Sequence, residues 1–86
     1  MKPIVFRKHA LDRMDQNHIP GSLVDAITRS PVWAGPDPDR PGIERRYGRI
    51  PGWPGKWLRV ACVDEKDHIR ILSVFPDRNA RPPDAS

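Results

Sequence analysis

The chain has a single cysteine, Cys62, among 86 residues, so it cannot form an intrachain disulfide. It has no run of about 18 apolar residues, which excludes a membrane-spanning helix. Its first residues lack the apolar core of a secretory leader. Together these point to a cytoplasmic protein in which Cys62 is a buried core thiol. No glycine-rich phosphate loop is present, because the glycines of PGWPG at 51–55 have no helix after them. No zinc-ligand spacing occurs, and Asp64, Glu65, Asp67 and His68 read as a charged hairpin tip. The sequence therefore calls for no metal and no cofactor.

What is present is basic charge, unevenly placed. Eleven of the fifteen cations are arginine, and the formal net charge is +4. The stretch 40–59 holds six cations (Arg40, Arg45, Arg46, Arg49, Lys56, Arg59) against one anion, Glu44, which leaves the rest of the chain close to neutral. A concentrated arginine patch on a small domain is what a phosphate backbone attracts, and it is also what a solvated basic face looks like.

The length suits one small domain, expected over 1–79, with a polar, proline-rich tail at 80–86. Ile4–Phe6 is a short strand or an extended lead-in. Apolar periodicity predicts helices over 7–17 and 21–29; Pro20-Gly21-Ser22 breaks the first and opens the second, and Ser30-Pro31 ends the second. Trp33 lies in a short strand or in the proline-rich loop that follows. Residues 43–50, 57–63 and 68–75 have strand composition, the last two forming a hairpin around 64–67. The expected fold is α+β: two N-terminal helices on a three- to four-stranded antiparallel sheet.

Pairing Asp64 with Asp67 would set Cys62 opposite Ile69, Val60 opposite Ile71 and Leu58 opposite Ser73, making one apolar face for the helices. The other face would carry Trp57, Arg59, Ala61, Arg70, Leu72 and Val74. Arg45, Tyr47 and Arg49 share one face of the preceding strand, and Arg46 points to the other. Arginines beside a tyrosine suit RNA, with Tyr or Trp stacking on a base; Trp33, Trp53 and Trp57 equally suit loop anchoring.

The N-terminal segment FRKHALDRM carries the sharpest signal. His9 and Arg13 stand four residues apart on the first helix, beside the apolar arc of Phe6, Ala10, Leu11 and Met14. A side chain at that edge is steadied by packing and still meets a ligand. Histidine titrates near neutrality and arginine stays cationic, a pairing suited to phosphate.

The string FRKHALDRM, the break at HIP, the arginine-rich strand, WLRVACVD and ILSVFPDR together resemble domain-of-unknown-function family 4258 over residues 5–79. His-Ala-x-x-Arg-Met is the most specific part. Such domains look like the barnase–EndoU–colicin–RelE group of metal-independent ribonucleases, many of them toxins. The resemblance implies a RelE- or barnase-like fold, with the family's His and Arg at His9 and Arg13, its basic strand residues at Arg45, Arg46 and Arg59, and its final-strand hydroxyl at Ser73. It also implies RNA as substrate and an acidic antitoxin or immunity protein as partner.

Metal-free RNA cleavage needs a proton acceptor for the 2′-hydroxyl, a donor for the leaving 5′-oxygen, and cations for the phosphorane. The candidates are His9 for proton transfer, Arg13 and Arg59 for the phosphate, and Tyr47 as donor or stacking platform. His68 is a second candidate acid, although its place beside the turn suits a surface role, and His18 belongs to the end of the first helix. Arg45, Arg46, Arg49, Lys56 and Arg70 are the candidate nucleic-acid contacts. The alternatives are a non-catalytic nucleic-acid-binding module and a protein-interaction domain for an acidic partner.

Overall fold

The computed structural model describes residues 1–83. The order of elements is β1 (Ile4–Phe6), α1 (Lys8–Gln16), α2 (Gly21–Arg29), β2 (Trp33–Pro36), β3 (Glu44–Arg49), β4 (Trp57–Asp64) and β5 (Ile69–Asp77). Both helices are nine residues long, short of what holds together alone in water, and neither has a side-chain N-cap. Packing therefore holds them. Ala10 and Met14 of α1, with Val24 and Ile27 of α2, meet Leu58, Val60, Cys62, Ile69, Ile71 and Val74 from one sheet face. No helix among the described residues is long and apolar enough to cross a membrane.

The fold is α+β with two helices, as expected, but the sheet has five strands and is mixed. Its order is β1-β5-β4-β3-β2, and β1 runs parallel to β5 while every other pair is antiparallel. Three residues of β1 pair with Ile69–Ile71, and the Arg7 amide donates to the Ile71 carbonyl just before α1 begins. A strand this short pairs with a segment more than sixty residues away in sequence, so nothing local selects its direction. The pairing with β1 ends at Ile71, while β4 continues beside β5 to Asp77 and α1 packs against β5.

The hairpin forms, with a different register. Asp64 pairs with Ile69, so the loop is 65–68, closed by the Glu65 amide on the His68 carbonyl at 2.9 Å. Cys62 consequently opposes Ile71 rather than Ile69. The register then shifts between Ala61 and Cys62, where Ser73 pairs with Ala61 and leaves Leu72 as an extra residue in β5. A bulge reverses the faces of every residue beyond it. Val60 thus opposes Val74 instead of Ile71, and Leu58 opposes Pro76 instead of Ser73. Val74 becomes a core residue, fully buried, and Ser73 turns to the face without helices.

Candidate functional site

The bulge and the end of β1 together create a cleft. Its volume is about 370 Å³, and its lining includes His9, Arg13, Arg40, Arg59, Ser73 and Phe75. His9 and Arg13 come from the edge of α1, one turn apart; Ala10 and Met14 anchor the adjoining arc in the core. Ser73 and Phe75 come from β5 beyond the bulge, and Arg59 from the facing position on β4, paired with Phe75. Without the bulge Ser73 would point at the helices, as the regular hairpin predicts.

Charge in the cleft is graded. Arg59 lies 3.3 Å from the Asp77 carboxylate, with its guanidinium 4.9 Å from the Phe75 ring centre. Arg40 bonds the Asp37 carboxylate at 3.1 Å. His9 and Arg13 have no side-chain hydrogen-bond partner among the described residues, and Arg13 is partly buried. Arg13 is therefore the cation with charge most available to a ligand, and the two paired arginines are held in place by their carboxylates.

Asp37 organises this wall. Its Oδ1 accepts the backbone amides of Asp39 and Arg40, and its Oδ2 accepts Arg40 Nη2 and Arg45 Nε. The side chain is 1% exposed. The Asp39 amide, with the two guanidinium groups, overcomes desolvation and holds the carboxyl pKa at about 2. One enclosed carboxylate thus fixes Arg40 in the cleft and Arg45 on the sheet.

The remaining candidates divide. By register, Arg45, Tyr47 and Arg49 stand on the same open face as Ala61, Arg59 and Trp57. Tyr47 neighbours Arg59 but stacks on Trp33 at 4.4 Å, with Trp57 edge-on to Trp33 at 4.7 Å. Arg49 lies over the Trp57 ring at 4.5 Å. Arg46 points to the helix side, where it bonds the Thr28 carbonyl at 2.8 Å and pairs with Glu44 and Asp64. Arg70 pairs with Glu65 near the hairpin tip, before the bulge and outside the cleft lining. Lys56 sits over Trp53 in the 51–56 loop. His68 stays at the hairpin tip. The cleft therefore gathers His9, Arg13 and Arg59 and leaves out Tyr47, Arg45, Arg46, Arg49, Arg70 and Lys56.

Two of its members are not singled out for the cleft by the sequence. Arg40 lies in a proline-rich loop and reaches the cleft only through Asp37. Phe75 reads as an ordinary strand residue, yet it is 40% exposed. The pattern Asp37-x-Asp39-Arg40 is the one clue in the sequence to the turn that positions Arg40, because an aspartate that accepts the amides two and three residues on forms an Asx turn. Models of known protein families, curated proteins and solved structures give no match to this chain.

Proposed function

We propose that this domain is a small metal-independent ribonuclease that cleaves RNA by attack of the 2′-hydroxyl on the adjacent phosphate. The observation that carries the reading is the convergence of one histidine, three arginines and a serine hydroxyl on a single cleft. An imidazole nitrogen of His9 takes the 2′-hydroxyl proton, the O2′–P bond forms, the P–O5′ bond breaks, and water protonates the leaving 5′-oxygen. Arg13, Arg40 and Arg59 meet the charge that builds on the phosphorane, where fixed cations act most strongly. The Ser73 hydroxyl is a neutral donor to the same oxygens. The resemblance to family 4258 and the RelE-like group agrees with this assignment of His9 and Arg13.

The protein is expected to cleave single-stranded RNA in EDTA and leave 2′,3′-cyclic phosphate ends. His9→Ala should slow cleavage roughly 100-fold while RNA binding persists, the scale of a proton-transfer residue. Arg13→Ala should weaken both. Cleavage that needs an added divalent ion, or that survives His9→Ala, defeats the proposal.

The second reading is a non-catalytic RNA-binding module. Its support is the open face, where Arg45, Arg49 and Arg59 surround the Trp33–Tyr47 stack. Salt-dependent binding without cleavage would favour it. An acidic antitoxin-like protein is the partner proposed for the same basic surface, and competition between that protein and RNA would identify it.

A further inference from the structure

A second cleft, larger than the ionic one at about 690 Å³, lies where the loop between α1 and α2 meets the loop after β3. Ile19, Leu23, Ile50 and Trp53 form its apolar part, with Gln16 and His18 among the polar groups around it. Nothing in the cleavage chemistry uses it. Three observations connect it to the ionic cleft and define what it takes.

First, His9, Arg13 and Gln16 stand at i, i+4 and i+7 on α1, within about 60° of arc and roughly 10 Å of rise. His9 and Arg13 line the ionic cleft and Gln16 lines the apolar one, so one helix stripe borders both. Second, Trp53 is 42% exposed, and Lys56 Nζ sits 4.3 Å from its ring centre. An indole wall backed by an ammonium suits a planar group attached to an anionic chain. Third, the polar groups at the cleft are set by the helix end. His18 adopts φ +55°, its amide bonds the Asp15 carbonyl, and the Ile19 amide bonds the Met14 carbonyl. This is a Schellman turn with histidine where glycine is usual, and it drives Ile19 into the core. The Asn17 amide nitrogen is tied to the Arg13 carbonyl, which leaves Gln16 as the amide with no internal partner among the described residues.

We infer that this cleft is a nucleobase subsite, in which a base next to the scissile phosphate stacks on Trp53 and bonds its edge to Gln16. The proposal rests on the ribonuclease reading for the phosphate. It adds that the substrate is single-stranded, because only an unstacked base can enter such a cleft. An apolar peptide would fit the walls but would gain nothing from Lys56 and Arg13.

The test uses the full chain and its tryptophan indole N–H resonances, with that of Trp53 assigned through Trp53→Phe. Uridine and adenosine, which carry no phosphate, should shift the Trp53 signal; inorganic phosphate alone should not. Trp53→Ala should raise KM for a single-stranded oligonucleotide roughly tenfold to a hundredfold, the scale of one base–aromatic stack, with little change in kcat. Trp53→Phe should restore most of it, since a ring is what stacks. An unmoved Trp53 signal with both nucleosides overturns the inference, as does an unchanged KM in a folded Trp53→Ala protein. If an acidic peptide shifts Trp53 and the nucleosides do not, the cleft is a protein site and the inference also fails. If the nucleosides shift Trp53 but the wild type cleaves no RNA, the base subsite stands and the ribonuclease reading falls. Should Trp53→Ala not fold, the nucleoside titration of the wild type decides.

Discussion

Asp37 ties the cleft to the rest of the molecule through one enclosed carboxylate. Its pKa of about 2 lies below the ordinary 3.8, so the folded state holds the ionised form more tightly than the unfolded chain does. The resulting stabilisation is complete above the ordinary value and is lost as pH falls through about 2. Asp37→Asn keeps the shape and removes the charge. The variant should be less stable than the wild type at pH 7, and the difference should shrink between pH 4 and pH 2, as urea melts at each pH would show. The same substitution loosens Arg40, so cleavage should fall at neutral pH even where the protein remains folded. Equal stability at pH 7 would mean that the two arginines do not depend on this carboxylate. The histidines separate in the same way: His9 faces a cleft shared with three arginines, whereas His68 and His18 serve turns.

Between elements, the close contact is α2 on β3. Gly48 is buried, and a Cβ there would meet Ile27 Cγ1 at 2.5 Å and Cδ1 at 2.9 Å. The helix lies against the strand because that position has no side chain. Gly48→Ala should cost about 1–3 kcal/mol by overpacking, measurable by thermal or urea denaturation. A neutral result would show that Ile27 has another rotamer open to it. The bulge in β5 acts at the same scale and shapes the site. One extra residue, Leu72, moves Ser73 to the open face and Val74 into the core. Apolar alternation alone cannot reveal it, because Ile69, Ile71, Leu72 and Val74 offer an apolar residue to either face. The tertiary core resolves the choice by burying Val74 beside Val60 and Leu58.

For the molecule as a whole, one sheet face is covered by helices and the other is lined with arginines and aromatic rings. Arg45 and Arg49 share that open face, as their spacing along β3 predicts, and the β3–β4 register brings Arg59 onto it. RNA affinity should therefore fall steeply with salt, and removing Arg49 should weaken binding of all sequences alike and reduce the salt slope by about one. Arg46→Ala should leave the slope unchanged, because Arg46 is engaged with Thr28, Glu44 and Asp64 on the helix side. Filter binding at several salt concentrations separates the two. A slope that responds to Arg46 and not to Arg49 would place the nucleic acid on the other side of the sheet.

Local pattern determined the two helices, the β4–β5 hairpin and the alternation of Arg45, Arg46, Tyr47 and Arg49, because helical and strand periodicities are written in neighbouring residues. It also put His9 and Arg13 on one helix edge, since a spacing of four fixes a shared face wherever the helix packs. Tertiary structure decided the rest. The parallel pairing of β1 with β5, the bulge at Leu72 and the reach of Arg40 through Asp37 into the cleft all depend on contacts between segments distant in sequence. Such contacts are selected by burial and by satisfaction of buried polar groups, which no short window of sequence contains.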